Sequence, residues 1–458
     1  MKVKKLYIKK YHQFEDFKLN LTYPRGHKFA GQPLNKVCVI GQSGTGKTTL
    51  LEILKEFIRP IINACDNGNR EQEGTILNEL KDNYNEIRFT IYQNEHNIRI
   101  KFFDMQQQED SKSEAFYTKF KISGGGEIIE NFNTYFPAFK CFNYPSEMNL
   151  PKKKDEKLTV KPSNMKRLQD MRVIDFEDYE INQIWETINE AIIEDRETEI
   201  KKSLEISNIL RNPKISKDIL DKATDDFRKW REETPSPIQD LADNYLDKII
   251  GRFNLKVKTE LDFEKKEDIE TIKIQQKNGK EIPFEALSTG TKQVIITALP
   301  LYGLKPKDSI ILFDEPERSL YPDIQAEIVD FYISMAENSQ FFFATHSPLV
   351  AASFEPWEIV ELKFNEETGN VEQESYYDTE KERHVDNYTI YPQYLTYDGI
   401  LKRVFDIKKE PNDLRTSELV KLATLESQLK HNNLSPEAKK EKFEEYKKLA
   451  DQLDWDLK

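Results

Sequence analysis

The first uninterrupted apolar run of clear strand length is Val37-Cys38-Val39-Ile40, bounded by turn residues. The positions after it, TTLLEILKEFI, repeat Leu50, Leu51, Leu54 and Ile58 at helical spacing. A strand therefore leads into a helix, with Gly41, Gly44 and Gly46 in the turn between them. Residues 86–130 read as antiparallel strands: IRFTIY, the polar turn QNEHN, IRIKFF, then YTKFKIS and EII around Gly124-Gly125-Gly126. They form a β-subdomain appended to the first lobe. From 174 to 250 the period becomes helical, with Ile181, Ile184, Trp185, Ile188 and Ile192 on one face and no sustained heptads. LKVKTEL and TIKIQQ then predict a hairpin, with Asn278-Gly279 turning the chain back to Ile282. Between 287 and 362 the short strands Ile310–Phe313 and Phe341–Thr345 flank a helix from Asp323 to Ala336, an alternation that predicts a mainly parallel sheet. Residues 400–458 are helical again, with Leu419, Leu422, Leu425 and Leu429 on one face and a helix start at Ser435-Pro436-Glu437.

Composition narrows the class. The 458 residues suffice for several domains or one large elaborated one. Charged residues make up 33% and hydrophobic ones 38%, and 68 Lys plus Arg against 81 Asp plus Glu leave a net charge of −13. Such acidity argues against coating nucleic acid by bulk charge, while leaving room for a local basic face. The three cysteines, Cys38, Cys65 and Cys141, form no CxxC pair, which disfavours a disulfide scaffold or a structural zinc site and fits a reducing compartment. The N-terminal MKVKKLYIKKYHQF has no apolar core of the signal-peptide kind, and no window resembles a membrane span. The expectation is a cytoplasmic protein with no membrane partner.

Candidate chemistry gathers at the glycine cluster. Gly41-Gln42-Ser43-Gly44-Thr45-Gly46-Lys47-Thr48 fits the P-loop pattern G-x4-G-K-[ST], set between strand and helix as its mechanism requires. Backbone N–H groups at a helix N-terminus can wrap a polyphosphate, with Lys47 reaching the β/γ oxygens and the Thr48 hydroxyl facing Mg²⁺. Gly41, Ser43, Gly44, Thr45, Gly46, Lys47, Thr48 and Thr49 are the candidate ATP-binding residues. Ile310-Ile311-Leu312-Phe313 ends in Asp314 and Glu315; the first is placed for a metal, the second for polarising a water. Leu287-Ser288-Thr289-Gly290-Thr291 opens an apolar helix and, taken alone, is a helix cap. Phe341-Phe342-Phe343-Ala344-Thr345-His346 puts one histidine at a strand end.

In the order P-loop, Ser/Gly signature, Asp-Glu strand, His strand, these pieces resemble the ATP-binding-cassette ATPases, and within them the RecF/SMC/OLD-like branch. The resemblance covers residues 1–150 and 255–362. It implies an α/β fold: an ABC-type P-loop ATPase head with an antiparallel β-subdomain, a helical insertion and a helical C-terminal tail. The corresponding divisions are 1–160, 161–254, 255–365 and 366–458, the last a partner-docking region. By the same likeness Ser288 and Gly290 contact the γ-phosphate held by a facing protomer, in a homodimer or higher even-numbered oligomer. Asp314 and Thr48 serve Mg²⁺, while Glu315, His346 and Lys47 carry catalysis. Arg318-Ser319-Leu320-Tyr321-Pro322-Asp323 resembles the D-loop, and Tyr144-Pro145-Ser146-Glu147 is the candidate glutamine-loop segment. The chain departs from the branch at Ser43, where Asn is common, and at Thr289, where Gly or Ser is; it has neither a long coiled-coil arm nor a CxxC hook.

Stand-alone members of this kind resemble the ATPase subunits of bacterial antiphage systems, including Septu and PARIS. That likeness implies a sensor or regulatory scaffold whose effector is a nuclease encoded nearby. Nothing in the tail resembles a nuclease centre: its one spaced pair of aspartates is Asp454-Trp455-Asp456. The alternative is a repair or recombination ATPase that binds DNA directly. The basic stretch from Lys152 to Arg167 and the lysines of the N-terminal strand, Lys2, Lys4, Lys5, Lys9 and Lys10, are the places to bind it. The same charges also suit a solvated loop and a protected strand edge.

Overall fold

Two strands, β12 (Ile310–Asp314) and β13 (Gln340–Ala344), bury their apolar residues on both faces. Such strands are stable only inside a covered, mainly parallel sheet, and they pair in parallel with Ile311 opposite Phe341 and Phe313 opposite Phe343. The structure, a computed structural model, describes residues 1–67, 86–93, 96–103, 119–124, 140–146, 173–176, 181–211, 217–260, 272–373, 391–405, 407, 413–430 and 435–455. The expected EII strand at 127–129, Glu147, the basic stretch 152–167 and Asp456 lie outside the described residues.

One mixed sheet of 12 strands runs in the order β6 (Lys119–Gly124), β5 (His96–Phe103), β4 (Glu86–Gln93), β1 (Lys2–Tyr11), β2 (Phe14–Asn20), β15 (Val371–Gln373), β14 (Ile359–Phe364), β3 (Lys36–Gly41), β13, β12, β7 (Cys141–Tyr144), β8 (Val173–Asp175). Its first five strands are the antiparallel lobe. From β14 to β8 every pairing is parallel. Parallel neighbours end on the same edge, so Gly41, Asp314 and Ala344 all stop there, where α/β sheets place their sites.

Helix α1 (Lys47–Asn67) leaves that edge and lies back on the sheet. Leu50, Leu51, Ile53, Leu54, Phe57 and Ile58 are buried beneath it, each contributing about 1.5–3 kcal/mol from removal of apolar surface. A polar tie reinforces the packing. Lys55 Nζ donates to Asp175 at 2.7 Å, and Asn143 Nδ2 donates to the other Asp175 oxygen at 3.0 Å, joining α1 to β7 and β8.

After β8, α2 (Ile181–Arg211) and α3 (Lys217–Glu233) form a helical pair. Ile188 and Ile192 of α2 are buried, whereas α3 buries none of its side chains. Arg231 joins the two helices through Asp195 at 3.1 Å. A separate three-stranded sheet, β9 (Leu255–Val257), β10 (Ile274–Gln276) and β11 (Glu281–Ile282), holds the expected turn at Asn278-Gly279. Helix α4 (Thr289–Leu304) is buried along most of its length.

Two local expectations change. Val173-Ile174-Asp175 is a strand paired to β7, not helix: three β-branched and short residues finish the sheet where no helical period exists to be read. The helix expected from Asp323 to Ala336 is broken into Pro322–Gln325 and α5 (Ile328–Ser334). The break is a tightened turn, in which Glu327 N donates to Ile324 O at 3.0 Å.

By contact, Met1–Leu395 is one compact unit and Thr396–Lys458 a second. The second unit contains α6 (Asp413–Lys430) and α7 (Pro436–Leu453), packed through Leu422, Ala450 and Leu453 with Leu419, Tyr446 and Leu449 around them. Ser435 caps α7 by accepting from Ala438 N at 3.3 Å, and Arg415 donates to Leu453 O at 2.9 Å.

Candidate functional site

The turn after β3 is shaped by its glycines. Gly44 and Gly46 sit at φ +85° and +86°, a region that side-chain-bearing residues rarely occupy. A Cβ at Gly41 would also lie 2.5 Å from Leu362 O, and one at Gly46 would run into the Gln13 amide. Thr45, fully buried, closes the loop by donating its hydroxyl to Gln42 O at 2.8 Å. Ser43 and Gly44 are exposed, and Thr49 is half-buried in the first turn of α1. Lys47 folds back over the loop, its Nζ donating to Gly41 O at 3.0 Å and to Gln42 O at 3.2 Å. Burial lowers the Lys47 pKa, while Glu315, Asp314 and Glu317 work against that shift. A lysine in the first turn of a helix, where the N–H groups have no intrahelical partners, is the chemistry that receives polyphosphate.

Facing the loop, β12 delivers its two acids in different ways. Thr48 Oγ1 donates to Asp314 Oδ2 at 2.9 Å, tying α1 to the strand end. Burial raises the Asp314 pKa, and the Thr48 hydrogen bond opposes it. A hydroxyl and a carboxylate in contact make a small set of hard oxygen donors, the kind a magnesium ion takes from protein while keeping waters and phosphate oxygens. Glu315 follows at φ +46°, a left-handed turn that costs about 1 kcal/mol for a residue with a side chain. Its N–H donates to Ala344 O at 2.8 Å. Its carboxylate thereby leaves the strand direction and stands 3.7 Å from His346 Nε2. Burial and Lys47 lower the His346 pKa, with Glu315 opposing them, which favours the neutral imidazole.

Ser288 and Gly290 stand elsewhere. Ser288 is the N-cap of α4, accepting from Thr291 N at 3.2 Å. Gly290 is buried against the segment after β12, where an added Cβ would strike Ser319 O and come 3.1 Å from Leu320. The segment that opens α4 and the segment after β12 are thus packed together within one chain. In that segment Leu320 is buried and Tyr321 is 72% exposed. Tyr144, of the candidate glutamine-loop segment, is buried in a stack between Phe176 and Phe313, with ring centroids 4.5 and 4.8 Å away.

Several residues in this arrangement were not singled out from sequence. Gln13 borders Gly46 from the β1–β2 turn, and Glu317 holds Thr345 and His346. For Glu317 a signal existed: a third acid just after a strand of buried type, two residues beyond Glu315. Gln13 carried none, because its role depends on a pairing between distant strands.

The profile of the family described as the AAA ATPase domain matches residues 1–351, and the chain belongs to that family. Among solved structures it is similar to the Smc head domain from Pyrococcus furiosus bound to the C-terminal domain of ScpA, at 14% identity and a TM-score of 0.37, over 81% of this chain and 95% of that one. It is also similar to the Smc head domain from Thermotoga maritima, at 11% identity and a TM-score of 0.36, over 82% of this chain and 100% of that one. No curated protein matches the chain.

Proposed function

We propose that the protein binds and hydrolyses ATP at the β3–α1 turn and uses that cycle to regulate a separate effector, a nuclease, in bacterial antiphage defence. The observation that carries the hydrolytic part is the meeting of three chain segments at one sheet edge: Lys47 and Thr48 from the start of α1, Asp314 and Glu315 from the end of β12, and His346 from the end of β13. Lys47 and the loop amides bind the phosphates, and Asp314 with Thr48 would hold Mg²⁺, which would neutralise phosphate charge. Glu315 takes the proton of an attacking water, and His346 orients the terminal phosphate from the other side. The exposed Tyr321, which follows Ser319 and Leu320 packed against Gly290, supports a second protomer closing over the nucleotide with Ser288 and Gly290 as its contribution. Exposed Leu414, Val420 and Phe443 on the α6–α7 pair support protein docking there. The test is ATP turnover by the purified protein, followed by native purification of Glu315→Gln from its host. Turnover with co-purification of a nuclease is the expected outcome; turnover with DNA alone would replace the effector reading.

A second reading, direct DNA binding, is favoured by one feature of the antiparallel lobe. Strand register aligns Lys18, Tyr7 and Arg88 in one row across β2, β1 and β4, and Lys5, Thr90 and Arg99 in the next. Lys5, Lys18, Arg88 and Arg99 are all exposed, in a chain of net charge −13. Lys5→Glu, Lys18→Glu and Arg99→Glu together should flatten the salt dependence of duplex binding measured by fluorescence anisotropy; an unchanged slope excludes this face.

A further inference from the structure

We propose that Glu317 is a positioning residue for hydrolysis: its carboxylate fixes the His346 peptide, and so the aim of the imidazole at Glu315, without touching nucleotide. The inference rests on the ATPase reading above and adds to it a residue that the motifs do not contain.

Glu317 is 7% exposed, and Thr345 is fully buried. One carboxylate oxygen, Oε1, accepts from the Thr345 hydroxyl and, at 3.3 Å, from His346 N–H. The same Thr345 hydroxyl accepts from Ser347 N at 2.9 Å. Ser347 Oγ then donates to Gln325 Oε1 at 2.6 Å, and Gln325 Nε2 donates to Leu320 O at 2.8 Å. The path leaves the segment after β12 at Glu317, crosses to the end of β13 and returns three residues further on, at Leu320. Thr345, His346 and Ser347 are therefore held by side chains of that segment and of the short helix after it.

Fold stability does not account for an acid here. A buried carboxyl costs several kcal/mol unless its oxygens are satisfied, and Glu317 Oε2 is buried without a hydrogen-bond partner. Burial raises the Glu317 pKa, against the hydrogen bonds from Thr345 and His346. The oxygen that is satisfied serves the two residues that carry the imidazole. Among the described contacts the His346 side chain has only its approach to Glu315 at 3.7 Å, which is too long for a hydrogen bond, so its direction follows from its backbone.

The experiment compares wild type, Glu317→Ala, Glu317→Gln and Thr345→Val by steady-state ATP turnover and by the ¹³Cε1–H resonance of His346. With 6 histidines in the chain, that resonance is identified by its loss in His346→Asn. Glu317→Ala and Thr345→Val should lower kcat about tenfold to a hundredfold with KM changed less than about twofold, and should shift or broaden the His346 line. Glutamine keeps the acceptor oxygen, so Glu317→Gln should recover kcat to within about threefold of wild type and restore the line. Thr345→Val preserves side-chain volume, which keeps the test informative should Glu317→Ala unfold. An unchanged His346 line in both Glu317→Ala and Thr345→Val, or a glutamine variant as impaired as alanine, would overturn the proposal. Absence of turnover in wild type would instead remove the ATPase reading, and the resonance comparison would still decide the role of Glu317.

Discussion

Thr48 and Asp314 are 266 residues apart in sequence and joined by a 2.9 Å hydrogen bond. The contact links the first turn of α1 to the end of β12, the two places from which a phosphate-bound magnesium ion would draw protein oxygens. Thr48→Ala should therefore raise the magnesium concentration needed for half-maximal ATP turnover, and Lys47→Ala should lower turnover by at least about a hundredfold. Turnover measured across a magnesium titration checks both; full activity in Lys47→Ala would remove the β3–α1 turn from the mechanism.

Glu315 has a different task from its neighbour, because the left-handed turn at φ +46° sends it toward His346. Replacing it with Gln keeps shape and removes the carboxylate proposed as the base. We expect ATP binding within about twofold of wild type by calorimetry and hydrolysis slowed by roughly 10²–10⁴. Equal losses of binding and rate would mean that Glu315 holds nucleotide instead.

Gly290→Ala is expected to be destabilising although the site lies in a helix, where alanine is normally preferred. The added methyl has no room against the Ser319 carbonyl, which is backbone and cannot rotate away. The expected loss is about 1–3 kcal/mol in urea unfolding. Gly279→Ala, where a Cβ meets nothing within 4 Å but φ is +88°, separates crowding from backbone strain.

Glu358 makes stability depend on pH in the less common direction for an acid. It is 5% exposed and accepts from Glu355 N at 2.9 Å, with Lys36 Nζ at 3.7 Å. Burial lifts its pKa from 4.5 to about 7, against the pull of Lys36. The folded protein thus holds this proton more tightly than the unfolded chain. The contribution is fully favourable below 4.5, declines as pH rises toward 7 and is flat above. Urea unfolding from pH 5 to 8 should show wild type losing on the order of 3 kcal/mol relative to Glu358→Gln; parallel curves would show that Glu358 ionises normally.

What could be read from the sequence was local. The β3 run, the glycine turn and α1 are contiguous, and their residue types state their chemistry directly. The β12 and β13 strands were legible because residues apolar at every position need cover on both faces. Strand order was not legible: β3 lies between β13 and β14, and no local pattern records a neighbour 300 residues away. For the same reason Gln13 beside Gly46 escaped notice. The break after Gln325 was hidden because Ile324, Ile328, Phe331 and Tyr332 keep a helical period across it.

The placing of β3 has a consequence during synthesis. Both neighbours of this strand belong to the last third of the ATPase lobe, β13 beginning at Gln340 and β14 ending at Phe364. As the chain leaves the ribosome, the glycine turn emerges early but has no flanking strands to hold it. The parallel half of the sheet can therefore close on both sides of β3 only once the chain has been made as far as β14, so this stretch of the core forms late from one early piece and two late ones.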